Sequence, residues 1–262
     1  MAAARIQLCG RFALELDGTR IEDALPGRQG RAVWAYLVVN RARAVDRARL
    51  ADVLWPRGAP AGAETTIRGL VFRLRKVVGE ERLSGRSELR LSLPADAWID
   101  VEAARTAIHT AESSIALGRF KEAWLPARIA ASIPEDGFMD GHEGEWFDEQ
   151  RRELEDVRLR GLECIAAAGL RLGGPELDAA ERAGKALIKA APYRESGYRF
   201  LIEVLERQGN VAEALRVYDR IRRLLRDELG IAPSAELTAA HGRLVGAGQG
   251  HEEGPPGGGG PS

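Results

Sequence analysis

Four cations lie close together after Glu64, and no acidic residue interrupts the segment before Gly79. They are Arg68, Arg73, Arg75 and Lys76. Lys and Arg neutralise phosphate charge, and one arginine can donate two hydrogen bonds to the edge of a guanine. These residue types therefore favour recognition of an anionic polymer rather than catalysis.

Helical spacing of about 100° per residue sorts this segment into two sides. The apolar side chains gather on one of them: Ile67, Leu70, Val71, Leu74, Val77 and Val78. The other side carries Thr65, Arg68, Phe72, Arg75 and Lys76, with Gly69 and Arg73 on its flank. The pattern predicts a helix with one core-facing stripe and one basic face.

Two interpretations of the basic face are open. A helix in a DNA major groove needs cations for phosphates, arginine for guanine edges and an apolar group such as Phe72 for a thymine methyl. A solvated face without a ligand is the alternative, although such a face more often mixes both charge signs. The elements around the helix favour the first interpretation.

The residues before the basic helix predict a small antiparallel sheet and two helices. Apolar residues recur at period two between Ile6 and Leu16, and an Asp-Gly pair typical of a two-residue hairpin turn follows. Helical periodicity follows over 28–40 and again over 47–55. Asp46 is a suitable N-cap for the second of these helices.

A second alternating segment follows the basic helix. Leu89 and Leu91 flank Arg90, and Gly85 lies between this strand and Leu83, which predicts a β-hairpin. Sheet, three helices and hairpin predict a winged helix-turn-helix, with the basic helix as recognition helix and the hairpin as wing. The wing cations suited to phosphate or minor-groove contacts are Arg82, Arg86 and Arg90.

From Asp100 onward the sequence predicts only helices, and the later ones fit the frame of a tetratricopeptide repeat. The residues in this frame are Tyr198, Leu201, Leu205, Gly209, Ala214, Tyr218 and Ile221. Matching small, apolar and proline positions one repeat earlier are Ala167, Ala180, Leu187 and Pro192, and a first unit holds Gly118, Ala123, Ala127 and Ala130. An all-α, tetratricopeptide-like array is predicted, with a generic helical array as the alternative.

Charge is divided unevenly between the two parts of the 262-residue chain. Residues 1–97 hold 17 Arg or Lys against 11 Asp or Glu, whereas the remainder holds 21 against 28. This division favours nucleic acid as a partner of the first part only. We predict a DNA-binding domain over 1–97, a helical domain over 98–246 and a disordered, Gly/Pro-rich tail over 247–262.

No pattern indicates an enzyme, a metal site or a cofactor. Phosphate-loop, nucleophile-elbow and zinc-protease motifs are absent from the sequence, and its four histidines share no ligand spacing. The acidic loop 136–145 fails as a calcium loop because Phe138 stands where an oxygen ligand belongs, so a solvated loop beside Trp146 is expected. Cys9 and Cys164 form no disulfide framework, no signal peptide is evident, and the run 33–39 is too short to span a membrane, so we expect a cytoplasmic protein.

The order of these parts resembles the AfsR/SARP class of bacterial regulators, in which an OmpR-type winged helix precedes a bacterial transcriptional activator domain. The resemblance covers nearly everything before the tail. It rests on residues 27–31, 46–56 and 73–79 in the first domain, and on 137–141, Trp146, 151–152, 209–215 and 229–234 in the second.

The resemblance implies sequence-specific binding to repeats in double-stranded promoter DNA and recruitment of RNA polymerase. By position, it assigns DNA contacts to Arg68, Gly69, Phe72, Arg73, Arg75 and Lys76, with Arg86 on the wing. It assigns polymerase contact to the loop between the last two helices, with Arg57, Gly58, Ala59 and Pro60. For the helical domain we expect contacts in a homodimer or with polymerase. We expect no interaction with a membrane.

Two residues depart from the family pattern. Gly69 stands where the family usually has a larger side chain, and Phe72 replaces a residue that is usually polar or basic. Either this chain binds an unusual DNA site, or its helix has lost tight DNA binding. The second case corresponds to a different class of function, a tetratricopeptide-like protein-interaction scaffold with a vestigial winged helix.

Overall fold

The computed structural model describes residues 4–249, which form two compact units. The first unit comprises the residues up to His109 together with Ile129–Arg158, and the second comprises Thr110–Arg128 together with the residues from Leu159 onward. The strands are β1 (Ala4–Gln7), β2 (Ala13–Leu16), β3 (Thr19–Arg20), β4 (Val45–Asp46), β5 (Leu83–Ser84), β6 (Glu88–Leu91) and β7 (Trp98–Ile99).

Ten α-helices account for most of the described chain. They are α1 (Gly27–Val39), α2 (Arg49–Leu54), α3 (Ala63–Val78), α4 (Asp100–Ala116), α5 (Phe120–Ser132), α6 (Glu145–Leu172), α7 (Pro175–Ala190), α8 (Glu195–Arg207), α9 (Val211–Leu224) and α10 (Ala235–Gln249). None of the helices within residues 4–249 combines the length and apolar composition needed to cross a bilayer.

The first unit begins with a four-stranded sheet in the order β3-β2-β1-β7. Strands β1 and β2 pair antiparallel, whereas β7 runs parallel to β1. The turn between β2 and β3 uses Asp17 and Gly18, both with positive φ, as this type of two-residue hairpin requires. The predicted Asp-Gly turn is therefore present.

Helices α1, α2 and α3 pack beside a second sheet, in the order β4-β6-β5. The sequence analysis placed α2 over 47–55, but the helix is shorter at both ends. Asp46 accepts a hydrogen bond from the backbone N–H of Ala48 at 2.8 Å. This bond stabilises the turn before the helix rather than the first turn of the helix, so Asp46 is not its N-cap.

The apolar stripe of α3 lies in the core of this unit. Its buried members are Ile67, Leu70, Val71, Leu74 and Val78. Their spacing matches the predicted core side of the basic helix, and Val77 is half-buried at its margin. The stripe fixes the rotation of α3 about its axis, so the other side of the helix must point outward.

The second unit contains the helices that were matched to a tetratricopeptide frame. The frame residues that are buried there are Tyr198, Leu201, Leu205, Ala214, Tyr218 and Ile221. Gly209 has a φ of +77° in the turn between α8 and α9, a conformation that favours glycine. The array ends with α10, which continues to Gln249. The tail predicted over 247–262 stays a prediction, and its residues from 250 onward lie outside the described part.

Candidate nucleic-acid interface

The outer side of α3 is exposed and carries an aromatic side chain among cations. Arg68, Arg73 and Lys76 are exposed, and Phe72 retains 54% of its surface. The ammonium of Lys76 lies 4.6 Å from the centroid of the Phe72 ring, a cation–π contact that holds both side chains on this face. The predicted basic face is therefore present, with Phe72 in its middle.

Glu64 is the acidic residue of this helix, and it neutralises part of the basic face. Its carboxylate lies 3.0 Å from Arg68 one turn along α3 and 3.4 Å from Arg47, which precedes α2. All of these contacts are at the surface, where one ion pair contributes less than about 1 kcal/mol. Any anion that binds this face would have to compete with Glu64 for both arginines.

Substituting Glu64 with glutamine is expected to tighten DNA binding by roughly two- to fivefold, because removing the anion releases Arg68 and Arg47. Fluorescence anisotropy with a labelled duplex would measure the change. Glu80→Gln serves as the matched control, since Glu80 is exposed beyond the end of α3. Equal effects of the two substitutions would mean that only net charge matters.

Gly69 has no structural reason to be glycine. A Cβ atom added there would meet nothing within 4 Å among the described residues, and the backbone φ is not positive. Glycine inside a helix costs about 1 kcal/mol relative to alanine. The residue therefore lowers helix stability without any packing benefit in the protein itself.

Changing Gly69 to alanine is expected to raise the free energy of unfolding by about 0.5–1 kcal/mol. If DNA lies against this position, the same substitution should also weaken specific binding, because the new methyl group intrudes on the contact. Urea unfolding and DNA titration measure the two effects separately. A stabilised variant with unchanged affinity would remove Gly69 from the interface.

The guanidinium of Arg75 contacts the wing. Its Nε donates to the carbonyl oxygen of Leu83 at 2.9 Å, and its Nη2 donates to the carbonyl oxygen of Gly85. Arg75 is half-buried, unlike Arg73 two residues earlier. The sequence analysis assigned Arg75 to DNA, and that assignment stays a prediction. Its observed contacts position the wing against α3.

The wing turns sharply at Gly85, which has a φ of +92°. A Cβ atom there would lie 1.8 Å from the carbonyl oxygen of Glu88, so only glycine fits. Arg86 and Arg90 are exposed, and neither forms an ion pair within the described part of the chain. Arg82 is engaged instead, at 2.6 Å from the carboxylate of Asp17.

The loop between α2 and α3 exposes all four residues that were assigned to polymerase contact. Gly58 adopts a φ of +116°, and its N–H donates to the carbonyl oxygen of Trp55 at 2.9 Å. Clefts of about 430 and 500 Å³ are each lined partly by Trp55, Pro56 and Gly58. The loop thus presents concave surface on the first unit.

The acidic loop is not simply solvated. Its carboxylates are exposed, but Phe138 and Met139 are buried in the core of the first unit. Arg151 donates to the carbonyl oxygens of Phe138 at 3.1 Å, Met139 at 3.2 Å and His142 at 2.5 Å. The expectation of a solvated loop was wrong in this respect, because Phe138 was weighed as a calcium ligand and not as a core residue. Each contact of Arg151 is made once, so it leaves no periodic pattern in the sequence.

Within the described residues, no group of three or more His, Cys, Asp or Glu is placed to hold a metal ion. Burial raises the pKa of the Cys9 thiol far above its usual range and that of Cys164 to about 12. Thiols with raised pKa values are poor nucleophiles. Both cysteines are structural.

Asp100 is a buried carboxylate whose role the sequence analysis missed. Its Oδ2 accepts hydrogen bonds from the backbone N–H groups of Leu8 and Cys9, both at 2.7 Å, and its Oδ1 accepts one from Val101 at 2.8 Å. The residue therefore joins the end of β1 to the start of α4. An Asp at the start of a predicted helix was the available signal.

Comparison with known proteins matches residues 99–245 to the model of the bacterial transcriptional activator domain. Over 227 residues, the chain is 33% identical to the regulatory protein AfsR of Streptomyces griseus, a match that covers 83% of this chain and 22% of AfsR. Over 251 residues it is 29% identical to the transcriptional regulatory protein EmbR of Mycobacterium tuberculosis, covering 91% of this chain and 62% of EmbR. The chain thus spans less than two thirds of the length of either relative.

A solved structure has the same architecture. The structure of Mycobacterium tuberculosis EmbR in complex with a low-affinity phosphopeptide aligns with a TM-score of 0.80 at 26% identity, covering 94% of this chain and 66% of that chain. The predicted fold class, a winged helix-turn-helix followed by a tetratricopeptide-like array, is confirmed.

Proposed function

The chain belongs to the AfsR/SARP-type family of bacterial transcriptional regulators, and on that premise we propose that it binds promoter DNA sequence-specifically and activates transcription. Helix α3 enters the major groove, and the wing contacts the backbone beside it. The DNA is double-stranded, and the protein acts in the cytoplasm. The DNA-binding domain spans residues 1–97 and the activator domain 98–246.

The observation that carries this proposal is the outer face of α3. Arg68, Arg73 and Lys76 project from a helix whose rotation is fixed by five buried apolar residues. Phe72 stands exposed between them, where an apolar side chain can meet a thymine methyl. A face that meets only water gains nothing from an exposed phenylalanine. Phe72 is also not part of the core of this unit, so packing does not explain it.

The remaining assignments follow from the same docking. Arg86 at the wing tip is exposed and contacts a phosphate or the minor groove in this proposal, while Arg75 binds backbone carbonyls of the wing. The loop with Arg57, Gly58, Ala59 and Pro60 leads directly into α3, so it stays accessible to RNA polymerase when α3 is bound to DNA. The helical array supplies contacts to a second copy or to polymerase.

The experiment is binding of the purified chain to a duplex from upstream of its own gene, with excess unrelated competitor DNA and a salt series. We expect sequence-selective binding that survives competition and weakens steeply with salt, since phosphate contacts release counterions. Binding that is abolished by competitor would contradict the proposal. That outcome would favour the scaffold hypothesis, and protein partners of the helical array would then be sought.

A further inference from the structure

A groove of about 660 Å³ lies in the second unit, away from the residues proposed to bind DNA. Alternate helices of the array, α6, α8 and α10, supply most of its lining, as on the inner surface of a repeat array. Its apolar lining comes from Ile115, Phe120, Ala167, Leu170 and Phe200. The volume lies within the range of sites that bind small ligands or peptide side chains.

The charge of the groove is opposite to that of the chain around it. Residues 98–262 carry an excess of acidic residues, 28 against 21. The groove nevertheless collects four arginines and two glutamates: Arg171, Arg199, Arg207, Arg243, Glu203 and Glu206. A cationic groove in an acidic half of the chain attracts anionic ligands selectively.

Two of these arginines already have carboxylate partners. Arg199 lies 3.3 Å from the carboxylates of both Glu203 and Glu236, and it stacks 4.3 Å from the centroid of the Phe200 ring. Arg243 lies 3.8 Å from Glu206. These ion pairs hold the walls of the groove in place and leave its net positive charge to the other two arginines.

Arg171 and Arg207 provide that charge. Arg171 is exposed, lies 5.9 Å from the centroid of the Phe120 ring, and has no carboxylate partner within the described residues. Arg207 donates to the carbonyl oxygen of Leu170, which orients its guanidinium while leaving further N–H groups free. Arg171 and Arg207 line the same groove as the ring of Phe120, whereas Phe200 is only 7% exposed and lies under the guanidinium of Arg199.

We propose that this groove binds an acidic peptide segment of a partner protein. Carboxylates of the segment pair with Arg171 and Arg207, and an apolar side chain between them packs on Phe120. The complementary charge selects the segment, and the open array surface admits an extended chain. This site goes beyond DNA recognition and does not depend on it.

The test uses the full chain and a fluorescein-labelled peptide with the sequence Glu-Glu-Phe-Glu-Glu. A second peptide with glutamine in place of each glutamate controls for charge, and phenylacetate competes as a small aromatic carboxylate. We expect Arg171→Glu to weaken binding of the acidic peptide by roughly tenfold or more. Arg216→Glu makes the same charge change on the exposed side of α9 and is expected to leave binding unchanged.

Selective binding of the acidic peptide, lost in Arg171→Glu and kept in Arg216→Glu, supports the proposal. Equal loss in both variants would overturn it, since general charge would then explain binding. Failure of the acidic peptide to bind, or binding of phenylacetate alone, would overturn it as well. Circular dichroism of both variants verifies folding, and DNA binding measured in parallel separates this outcome from that of the proposed function.

Discussion

Substituting Asp100 with alanine is expected to lower the free energy of unfolding by about 3 kcal/mol or more. The carboxylate accepts hydrogen bonds from three buried backbone N–H groups, those of Leu8, Cys9 and Val101. Each buried donor that is left without an acceptor costs about 1–3 kcal/mol. Asp100 is only 1% exposed, so solvent has little access to replace the lost acceptor.

Urea unfolding monitored by circular dichroism measures this loss. Asp52→Ala is the control, because Asp52 is exposed on α2, and a surface change of this kind stays within about 0.5 kcal/mol. Asp100→Asn retains one acceptor oxygen and should recover part of the loss. An Asp100→Ala variant as stable as the Asp52→Ala variant would show that the three hydrogen bonds contribute nothing net.

The carboxyl also links stability to pH. Burial raises the pKa of Asp100 above the usual range of an aspartate, and the three N–H donors offset this only in part. Since the pKa is raised in the folded state, the stabilising contribution is complete below the unfolded pKa and is lost as pH rises through the folded pKa. The difference in unfolding free energy between the wild type and Asp100→Ala should therefore shrink as pH rises above about 4.

Periodicity predicted the parts of this fold that depend on repeated local spacing. The stripe from Ile67 to Val78 is buried as the helical period requires, and the alternation around Arg90 forms the wing strand. The tetratricopeptide frame placed Tyr198 and Tyr218 in the core. In each case many residues share one period, so a single exception does not change the pattern.

Single long-range contacts were not predictable in this way. Asp100 bonds to residues more than ninety positions earlier, and Arg151 binds carbonyl groups of a loop that was expected to be solvated. The strand β7 has only two residues, and its partner β1 lies at the other end of the unit's sequence. No period marks such contacts, because each is made once and depends on the completed fold.

The same limit applies to the candidate interface. Helical spacing placed Arg75 on the side of α3 with Arg68 and Phe72, and Arg73 only on the flank. The structure instead turns Arg75 to the wing carbonyls and leaves Arg73 exposed. The direction of the Arg75 side chain thus depends on carbonyl acceptors in the hairpin. A helical wheel drawn from the sequence of α3 alone does not include those acceptors.

This difference makes Arg73 the residue of α3 at which the proposed DNA recognition is best tested. Substituting Arg73 with alanine is expected to weaken binding to the specific duplex by about 1–3 kcal/mol, as for an arginine that contacts a base edge. Folding stability should change by less than about 0.5 kcal/mol, because the side chain is exposed. Anisotropy titration and urea unfolding of the same variant measure the two quantities.

Arg73→Lys separates base recognition from charge. Lysine keeps the cation but loses the planar, two-pronged donor, so a base contact is weakened while a phosphate contact is largely retained. If Arg73 reads a base, the lysine variant should lose affinity for the specific duplex and keep its affinity for unrelated DNA. If the lysine variant binds both as the wild type does, Arg73 contacts only phosphate.

Arg75→Ala completes the comparison, since it removes a guanidinium of the same helix that supports the wing. Losing the hydrogen bonds to Leu83 and Gly85 should lower the free energy of unfolding by about 1 kcal/mol. Because the wing is then displaced, binding to the specific duplex and binding to unrelated DNA should weaken alike. Arg73→Ala should instead reduce specificity without reducing stability. If both variants lose stability and affinity together, α3 acts only as a structural support, and direct recognition by its exposed face is wrong.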